Sequence, residues 1–160
     1  MKIPEERGLL YDLKAGDRVF LSGTIYTARD KVHKRGFPFD VKDQVIYYTG
    51  PTPTRPGEII GSCGPTTSSR MDEWTPFLLS QGLAGMIGKG PRSKEVIEAI
   101  KLYRVVYFVA VGGAGAYYKN FVKKAEVVAY PEFGCEAVYK LEIEDFPLYV
   151  GIDSNGKSIF

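Results

Sequence analysis

The chain has 160 residues, which is enough for one domain with a hydrophobic core, and we expect residues 1–160 to form a single domain. Hydrophobic residues make up 44% of the chain and aromatic residues 13%, a composition that excludes a disordered protein. The net charge is only +2 and no dense basic run occurs, so we expect neither a nucleic acid nor an anionic membrane as a partner.

The first 16 residues are expected to form a polar lead-in to the domain. They contain no apolar segment like that of a secretory signal peptide, and no later apolar run approaches the length of a membrane span. We therefore expect a cytoplasmic protein. Residues 17–23 alternate as a β-strand does. Residues 24–34 are predicted to form a turn and a short helix that places Arg29 and His33 one turn apart on one face.

The next segment is predicted to contain two short strands, over 44–49 and 58–62, on either side of a loop rich in proline and glycine. Prolines fix the backbone of such a loop, so we interpret it as a rigid connection within the domain. It is not a linker between domains.

The stretch 61–72 packs glycines, a proline and hydroxyl side chains into a short loop that opens a predicted helix. Ser69 and Asp72 have the spacing of a capping box, and Pro76 should kink the helix that follows or weaken one of its backbone hydrogen bonds. A loop whose hydroxyls and backbone N–H groups converge on a helix N-terminus beside Arg70 is suited to hold an anion. The alternative interpretation is an ordinary capped helix with a solvated arginine.

The second half of the chain is predicted to complete a mixed α/β domain. A strand is predicted over 84–88, and Lys89 follows directly after it. Ser93 is predicted to cap a helix, and the apolar run 105–111 is the predicted central strand. The glycine-rich segment 112–116 fits neither GxGxxG nor a Walker lysine pattern, so a strand-to-helix turn is favoured over a phosphate-binding loop. The remaining predicted elements are a short helix over 117–122, strands over 125–130, 137–143 and 148–152, and a hairpin turn over 153–156.

Cys63 and Cys135 are the only cysteines. Two cysteines without a CxxC spacing cannot by themselves form a structural zinc site or complete an iron–sulfur site. A disulfide between them stays open as an alternative, and no role is assigned to either residue. Cys63 with His33 could form a nucleophile and base, but a small buried thiol is the favoured interpretation of Cys63.

The loop sequence Gly-Pro-Thr-Thr-Ser-x-Arg-Met-Asp at 64–72 closely resembles a motif of the class I iron–sulfur hydro-lyases. That family contains fumarate hydratase and L-tartrate dehydratase, and the resemblance is to their C-terminal domain or separate β subunit. Other segments match in the same order: Leu21-Ser22-Gly23-Thr24-Ile25, Ala28-Arg29-Asp30-x-x-His33, Tyr48-x-Gly50-Pro51, Gly88-Lys89-Gly90 and the run from Glu136 to Pro147. The resemblance covers most of the chain, from Leu21 to Asp153, and is therefore specific.

The resemblance implies a fold, a reaction and a set of site residues. The fold is a swivelling β/β/α domain, and the reaction is the addition or elimination of water at a C4 dicarboxylate. Thr66 matches the family's proposed base, and His33 and Thr67 are candidates for a place beside the site. The implied ligands of the substrate carboxylates are Arg29, Arg70 and Lys89, in agreement with the preference of arginine and lysine for carboxylates.

The resemblance also implies a partner, because the family's [4Fe–4S] cluster is held by three cysteines of another domain that also supplies a catalytic histidine and an acidic residue. This chain has no third cysteine, and His33 is its only histidine. We therefore expect the β subunit of a two-subunit class I fumarate hydratase, inactive alone, whose larger α subunit binds the cluster in a hetero-oligomer. The alternatives are an L-tartrate dehydratase β subunit and a non-catalytic dicarboxylate-binding module.

Overall fold

The computed structural model describes residues 1–160 and contains a mixed seven-stranded sheet with four short α-helices, which confirms the predicted α/β class. The strands are β1 (Lys2–Ile3), β2 (Arg18–Thr27), β3 (Val45–Tyr47), β4 (Gly85–Gly88), β5 (Val106–Val109), β6 (Val122–Ala129) and β7 (Val138–Ile152). The helices are α1 (Asp30–Arg35), α2 (Thr75–Ser80), α3 (Lys94–Tyr103) and α4 (Gly115–Tyr118). Short 3-10 helices occupy Arg7–Asp12, Ser68–Met71, Lys119–Phe121 and Pro131–Glu136.

The sheet closes on itself. Its strand order is β1-β2-β3-β4-β5-β7-β6, and β7 also pairs with β2. Neighbours from β2 to β5 are parallel, whereas β7 runs antiparallel to β2, β5 and β6. The carboxyl ends of the four parallel strands therefore lie together at one end of the sheet, which is called the sheet edge below. Parallel strands bind ligands at this end both in open α/β sheets and in closed barrels.

Alternate strand residues pack into two separate hydrophobic clusters. Tyr47 and Phe108 belong to the first cluster, whereas their neighbours Ile46 and Tyr107 belong to the second, which also takes in the apolar faces of α2 and α3. Because side chains alternate across a strand, the two clusters lie on opposite faces of the sheet. The parallel strands are thus buried on both faces, and β5 is the central strand that was predicted, although shorter.

The predicted helix start at the Ser69–Asp72 capping box is wrong. A 3-10 turn at Ser68–Met71 is followed by a separate helix, α2, whose N-terminus has no side-chain cap. The Asp72 carboxylate instead accepts hydrogen bonds from Arg92 and from the amide of Ser93. Pro76 lies in the first turn of α2, where a missing N–H costs nothing, so it does not kink the helix.

Several other boundaries also differ from the prediction. The segment 58–62 is not a strand, because Ser62 pairs with Thr52 across the proline-rich loop and with no strand of the sheet. Residues 24–27 continue β2, and the strands predicted over 137–143 and 148–152 form the single strand β7. The helix predicted over 117–122 is divided between α4 and a 3-10 turn. The predicted lead-in contains β1 and a 3-10 helix.

Other local predictions are confirmed. The Ser93 side chain accepts a hydrogen bond from the Val96 amide at 3.2 Å and so caps α3. The glycine-rich segment after β5 is the turn that leads into α4. None of the helices combines the length and the apolar character that crossing a bilayer requires.

Candidate active site

The candidate site lies at the edge of the sheet where the four parallel strands end. Arg29 follows β2, Gly50 follows β3, Lys89 follows β4 and Gly112 follows β5. Parallel pairing aligns these strand ends, so residues distant in sequence share one edge.

Arg29 lies across Gly50. A methyl group added at Gly50 would lie 2.8 Å from Nη1 of Arg29 and 3.2 Å from its Cδ. The Arg29 Nε is buried and makes no hydrogen bond, and no carboxylate forms an ion pair with this side chain. A buried charged donor without an acceptor is costly, so this guanidinium is suited to receive an anion.

Thr66 is held at the end of β3. Its amide and its hydroxyl both donate to the carbonyl of Tyr48, at 2.8 and 2.9 Å. The next residue, Thr67, forms a parallel bridge with Lys89, and the Ser68 amide donates to the Lys89 carbonyl at 3.1 Å. The loop is therefore joined to the ends of β3 and β4.

The helix predicted to start at Ser69 is replaced by the 3-10 turn at Ser68–Met71. The amides of Thr66 and Ser68 donate to the carbonyls of Tyr48 and Lys89, so these two N–H groups are not available to an anion.

Two hydroxyl groups fix the backbone around Lys89. Ser68 Oγ accepts a hydrogen bond from the Lys89 amide at 3.1 Å and lies 2.8 Å from the Tyr107 hydroxyl. That hydroxyl donates to the Gly90 carbonyl at 2.8 Å. Burial raises the pKa of Tyr107 to about 12, so its proton stays in place at neutral pH. Lys89 itself takes part in no ion pair.

Arg70 is exposed and is joined to the edge through an ion pair. Its Nε lies 3.0 Å from Oδ2 of Asp30, the residue that follows Arg29. Burial would raise the pKa of Asp30, but the hydrogen bond from Arg70, a backbone hydrogen bond and the charges of Arg70 and Arg29 outweigh it, so the pKa lies below its ordinary value. The pair ties Arg70 to the residue next to Arg29 and uses part of the hydrogen-bonding capacity of Arg70.

The His33 ring is buried beneath the sheet edge, next to the backbone of Arg29. The ring is buried among Phe37, Tyr48 and Trp74, and its Nδ1 is 2.7 Å from the Arg29 carbonyl, to which it donates. Burial lowers the pKa of His33 to about 4, so the imidazole is neutral at pH 7. The structure thus gathers Arg29, Thr66, Thr67 and Lys89 at the edge, attaches Arg70 through Asp30, and places His33 as an inner support.

Arg92 was not singled out from the sequence, yet it organises the inner side of the site. Its Nε donates to Asp72 at 2.7 Å and its Nη2 to Thr75 at 2.9 Å, and the guanidinium lies over the rings of Tyr48 and Tyr107. Burial would lower the pKa of Arg92, but its neighbours, above all Tyr48 and Asp72, raise it, so the charge is retained. The one feature of the sequence that could have indicated this role of Arg92 was Asp72, an acidic residue of the motif whose carboxylate needs a hydrogen-bond donor or a cation as partner.

The residues of this chain do not fit an iron–sulfur cluster. Cys63 is buried, and burial raises the pKa of its thiol to about 12, whereas Cys135 is exposed and both are free. No group of three or more His, Cys, Asp or Glu side chains lies together in a way that could hold a metal ion. A cluster needs several thiolates around one centre, and two distant thiols do not supply them.

The sequence matches the family described as "Fumarase C-terminus" over residues 2–160. It is 40% identical to the aerobic class I fumarate hydratase of Salmonella typhimurium over 89% of this chain and 27% of that protein. It is 37% identical to fumarate hydratase 2 of Leishmania major over 99% of this chain and 30% of that protein.

A third relative differs in length. The chain is 39% identical to a protein of Methanocaldococcus jannaschii that is provisionally named as L(+)-tartrate dehydratase subunit beta, over 92% of this chain and 84% of that protein. The chain thus spans less than a third of the fumarate hydratases above but most of this separate subunit.

Proposed function

We propose, because the chain belongs to the fumarase C-terminus family, that it is the β subunit of a class I hydro-lyase that reversibly hydrates fumarate to malate. The name of the archaeal relative, a subunit beta that the chain matches over 84% of its length, supports a separate subunit. The short share of the fumarate hydratases that the chain spans supports a larger partner for the remainder of the enzyme.

The proposal rests on two cationic side chains that form no ion pair within the chain and lie beside a hydroxyl group. Arg29 and Lys89 lie at the same sheet edge as Thr66, and neither forms an ion pair with a carboxylate of this chain. An arginine fork binds one carboxylate with two parallel hydrogen bonds, and a lysine adds a point charge for another. Two such groups suit the two ends of a small diacid.

Arg70 supplies a third cation to this proposed site. Asp30 accepts from its Nε and Nη2, which leaves the Nη1 side of the fork to donate to a substrate carboxylate. Asp30 thereby holds the orientation of Arg70 before the substrate arrives.

Thr66 is the proposed proton acceptor. Its hydroxyl donates to the Tyr48 carbonyl, and once that proton has passed to an acid–base partner, the alkoxide oxygen can take the proton from the carbon next to a substrate carboxylate and so become the hydroxyl again. A threonine hydroxyl is a weak base alone, so the positive charge of Arg29 and Lys89 must stabilise the negative charge that develops in the transition state.

The proposal assigns the [4Fe–4S] cluster to the α subunit, because the thiols of this chain do not fit one. The α subunit would also supply the remaining acid–base residues, so the complete site forms only in a hetero-oligomer. Within that assembly we assign this chain the role of the family's swivelling β/β/α domain.

L-tartrate is the second candidate substrate. The relative that matches this chain over most of its own length carries the tartrate dehydratase name, whereas the fumarate hydratases are matched only in part. Tartrate has one more hydroxyl than malate, and residues of either subunit could contact it. Comparing kcat/KM for fumarate, malate and L-tartrate in the assembled enzyme decides between them.

The test is co-expression with the larger partner chain under anaerobic conditions. We expect the assembly to be active and the isolated chain to show no turnover. Thr66→Val should lower kcat about 100-fold or more with a small change in KM, whereas Thr66→Ser, which keeps the hydroxyl, should retain most activity.

Three results would contradict the proposal: turnover by the isolated chain, near-normal kinetics of Thr66→Val, or no turnover of any of these diacids by the assembly. Tight dicarboxylate binding by the isolated chain in calorimetry, without activity in any assembly, would instead favour a binding module.

A further inference from the structure

We propose that Gly50 and Gly112 are positioning residues, whose missing side chains make the space in which the cations Arg29 and Lys89 lie. This inference rests on the proposed function, because it takes Arg29 and Lys89 as the groups that bind the substrate carboxylates. The inference adds the residues that determine the positions of the Arg29 and Lys89 side chains.

The backbone does not explain why either position is glycine. Gly50 and Gly112 are both absent from the residues with positive φ, the region that favours glycine. An L-residue could therefore adopt the local backbone conformation at both positions, and the reason for glycine has to lie in what surrounds it.

At Gly50, the space is occupied by Arg29. A Cβ here would lie 2.8 Å from Nη1 and 3.2 Å from Cδ of Arg29, and 3.2 Å from the carbonyl oxygen of Cys135. The closest atom is the end of a flexible side chain, so Arg29 would move aside, whereas the Cys135 carbonyl would have to shift by only a few tenths of an ångström. Alanine at Gly50 would thus displace the guanidinium from the sheet edge.

At Gly112, the space is occupied by Lys89. A Cβ here would lie 3.3 Å from Cδ and 3.5 Å from Nζ of Lys89, and no other residue is as close as 4 Å. The overlap is smaller than at Gly50, and a shift of a few tenths of an ångström would relieve it. Alanine at Gly112 should therefore perturb Lys89 less than alanine at Gly50 perturbs Arg29.

The two contacts repeat one arrangement. In each, the cation follows one parallel strand and lies over the glycine that follows the neighbouring strand: Arg29 after β2 over Gly50 after β3, and Lys89 after β4 over Gly112 after β5. A side chain at either glycine would push its cation outward from the aligned strand ends. The glycines thereby hold both charges close to the edge where Thr66 is anchored.

The experiment compares Gly50→Ala, Gly112→Ala and the control Gly8→Ala in the assembled α/β enzyme. Gly8 has ordinary backbone angles and no atom within 4 Å of an added Cβ, so its variant should match the parent protein. We expect Gly50→Ala to raise the KM for the dicarboxylate about tenfold or more and Gly112→Ala to raise it a few-fold. The melting temperatures should stay close to that of Gly8→Ala.

A double-mutant cycle shows whether each glycine acts through its cation. Gly50→Ala should cause no further loss of kcat/KM when Arg29 is already alanine, and Gly112→Ala none when Lys89 is alanine. Equal losses with and without the cation, or glycine variants that behave like Gly8→Ala, would overturn the inference. If Arg29→Ala and Lys89→Ala themselves leave the kinetics unchanged, the proposed function fails as well, so the two failures are distinguishable.

Discussion

Arg92 and Arg29 both lie near the carboxyl ends of the parallel strands, but their surroundings are opposite. Arg92 is buried with hydrogen bonds from its guanidinium to Asp72 and Thr75 and with two tyrosine rings against it. Arg29 has a buried Nε with no acceptor and no carboxylate partner. The comparison indicates that an arginine whose hydrogen-bond donors are all paired within the protein supports the fold. An arginine with an unpaired donor is available to a ligand.

The comparison predicts that substitutions near Arg92 and substitutions near Arg29 affect different properties of the protein. Removing Arg92 leaves the largely buried carboxylate of Asp72 without its charge partner, which lowers stability. Removing Arg29 leaves no such carboxylate behind and also deletes an unsatisfied buried donor. Variants of the inner cluster should therefore lose stability, and variants of the edge should lose substrate binding.

Arg92→Met is the variant with the largest expected effect. It should lower the free energy of unfolding by about 3–5 kcal/mol, because it breaks an ion pair whose arginine is fully buried and leaves the Asp72 carboxylate with only the Ser93 amide as a partner. Urea unfolding measures the change, and Arg55→Met, at an exposed arginine, is the control, with an expected change below about 0.5 kcal/mol. A loss below about 1 kcal/mol for Arg92→Met would contradict a structural role of the cluster.

His33 lies between the two regions and should make stability depend on pH. Burial holds its pKa near 4, below the ordinary 6.5, so between these values the unfolded chain binds a proton that the folded chain excludes. The free energy of unfolding should thus fall as the pH drops from 6.5 to 4, by about 3 kcal/mol. Above pH 6.5 this contribution is fully present.

The measurement for His33 is urea unfolding at a series of pH values. His33→Gln has a side chain that does not titrate, so it should flatten the slope between pH 6.5 and 4 even if it is less stable throughout. Since His33 is the only histidine, its NMR titration reports the folded pKa without overlap. An ordinary midpoint near 6.5, or an equal slope in His33→Gln, would show that the ring is not held neutral by burial.

Arg29→Ala tests the second half of the comparison, the arginine with an unpaired donor. In the assembled enzyme it should lower kcat/KM by about 10- to 100-fold, the loss of a charged hydrogen bond, while the free energy of unfolding stays the same or rises. Arg29→Lys keeps the charge but not the fork, so only partial recovery is expected. A large loss of stability with unchanged kinetics would mean that the roles of Arg29 and Arg92 are reversed.

The sequence allowed much of the edge to be predicted, because its motifs sit where strands end. Lys89 was correctly placed after a buried strand, whereas Arg29, predicted on one helix face with His33, lies at the extended position before α1. The role of Asp72 was misassigned, since a capping box and an ion pair with Arg92 need the same side chain and only the tertiary contact distinguishes them. Closure of the sheet through β2 and β7 was not foreseeable either, because it depends on pairing between segments more than a hundred residues apart.

The ion pair of Arg70 and Asp30 should have the smallest effect on stability. Both side chains are about 40% exposed, at 43% and 39%, so water screens their attraction. A double-mutant cycle with Arg70→Ala and Asp30→Ala should give a coupling below about 1 kcal/mol in urea unfolding, and 1 M salt should reduce it further. A coupling as large as that expected for Arg92 and Asp72 would mean that this pair also supports the fold. A small one would fit a pair that orients Arg70 toward a substrate carboxylate without supporting the fold.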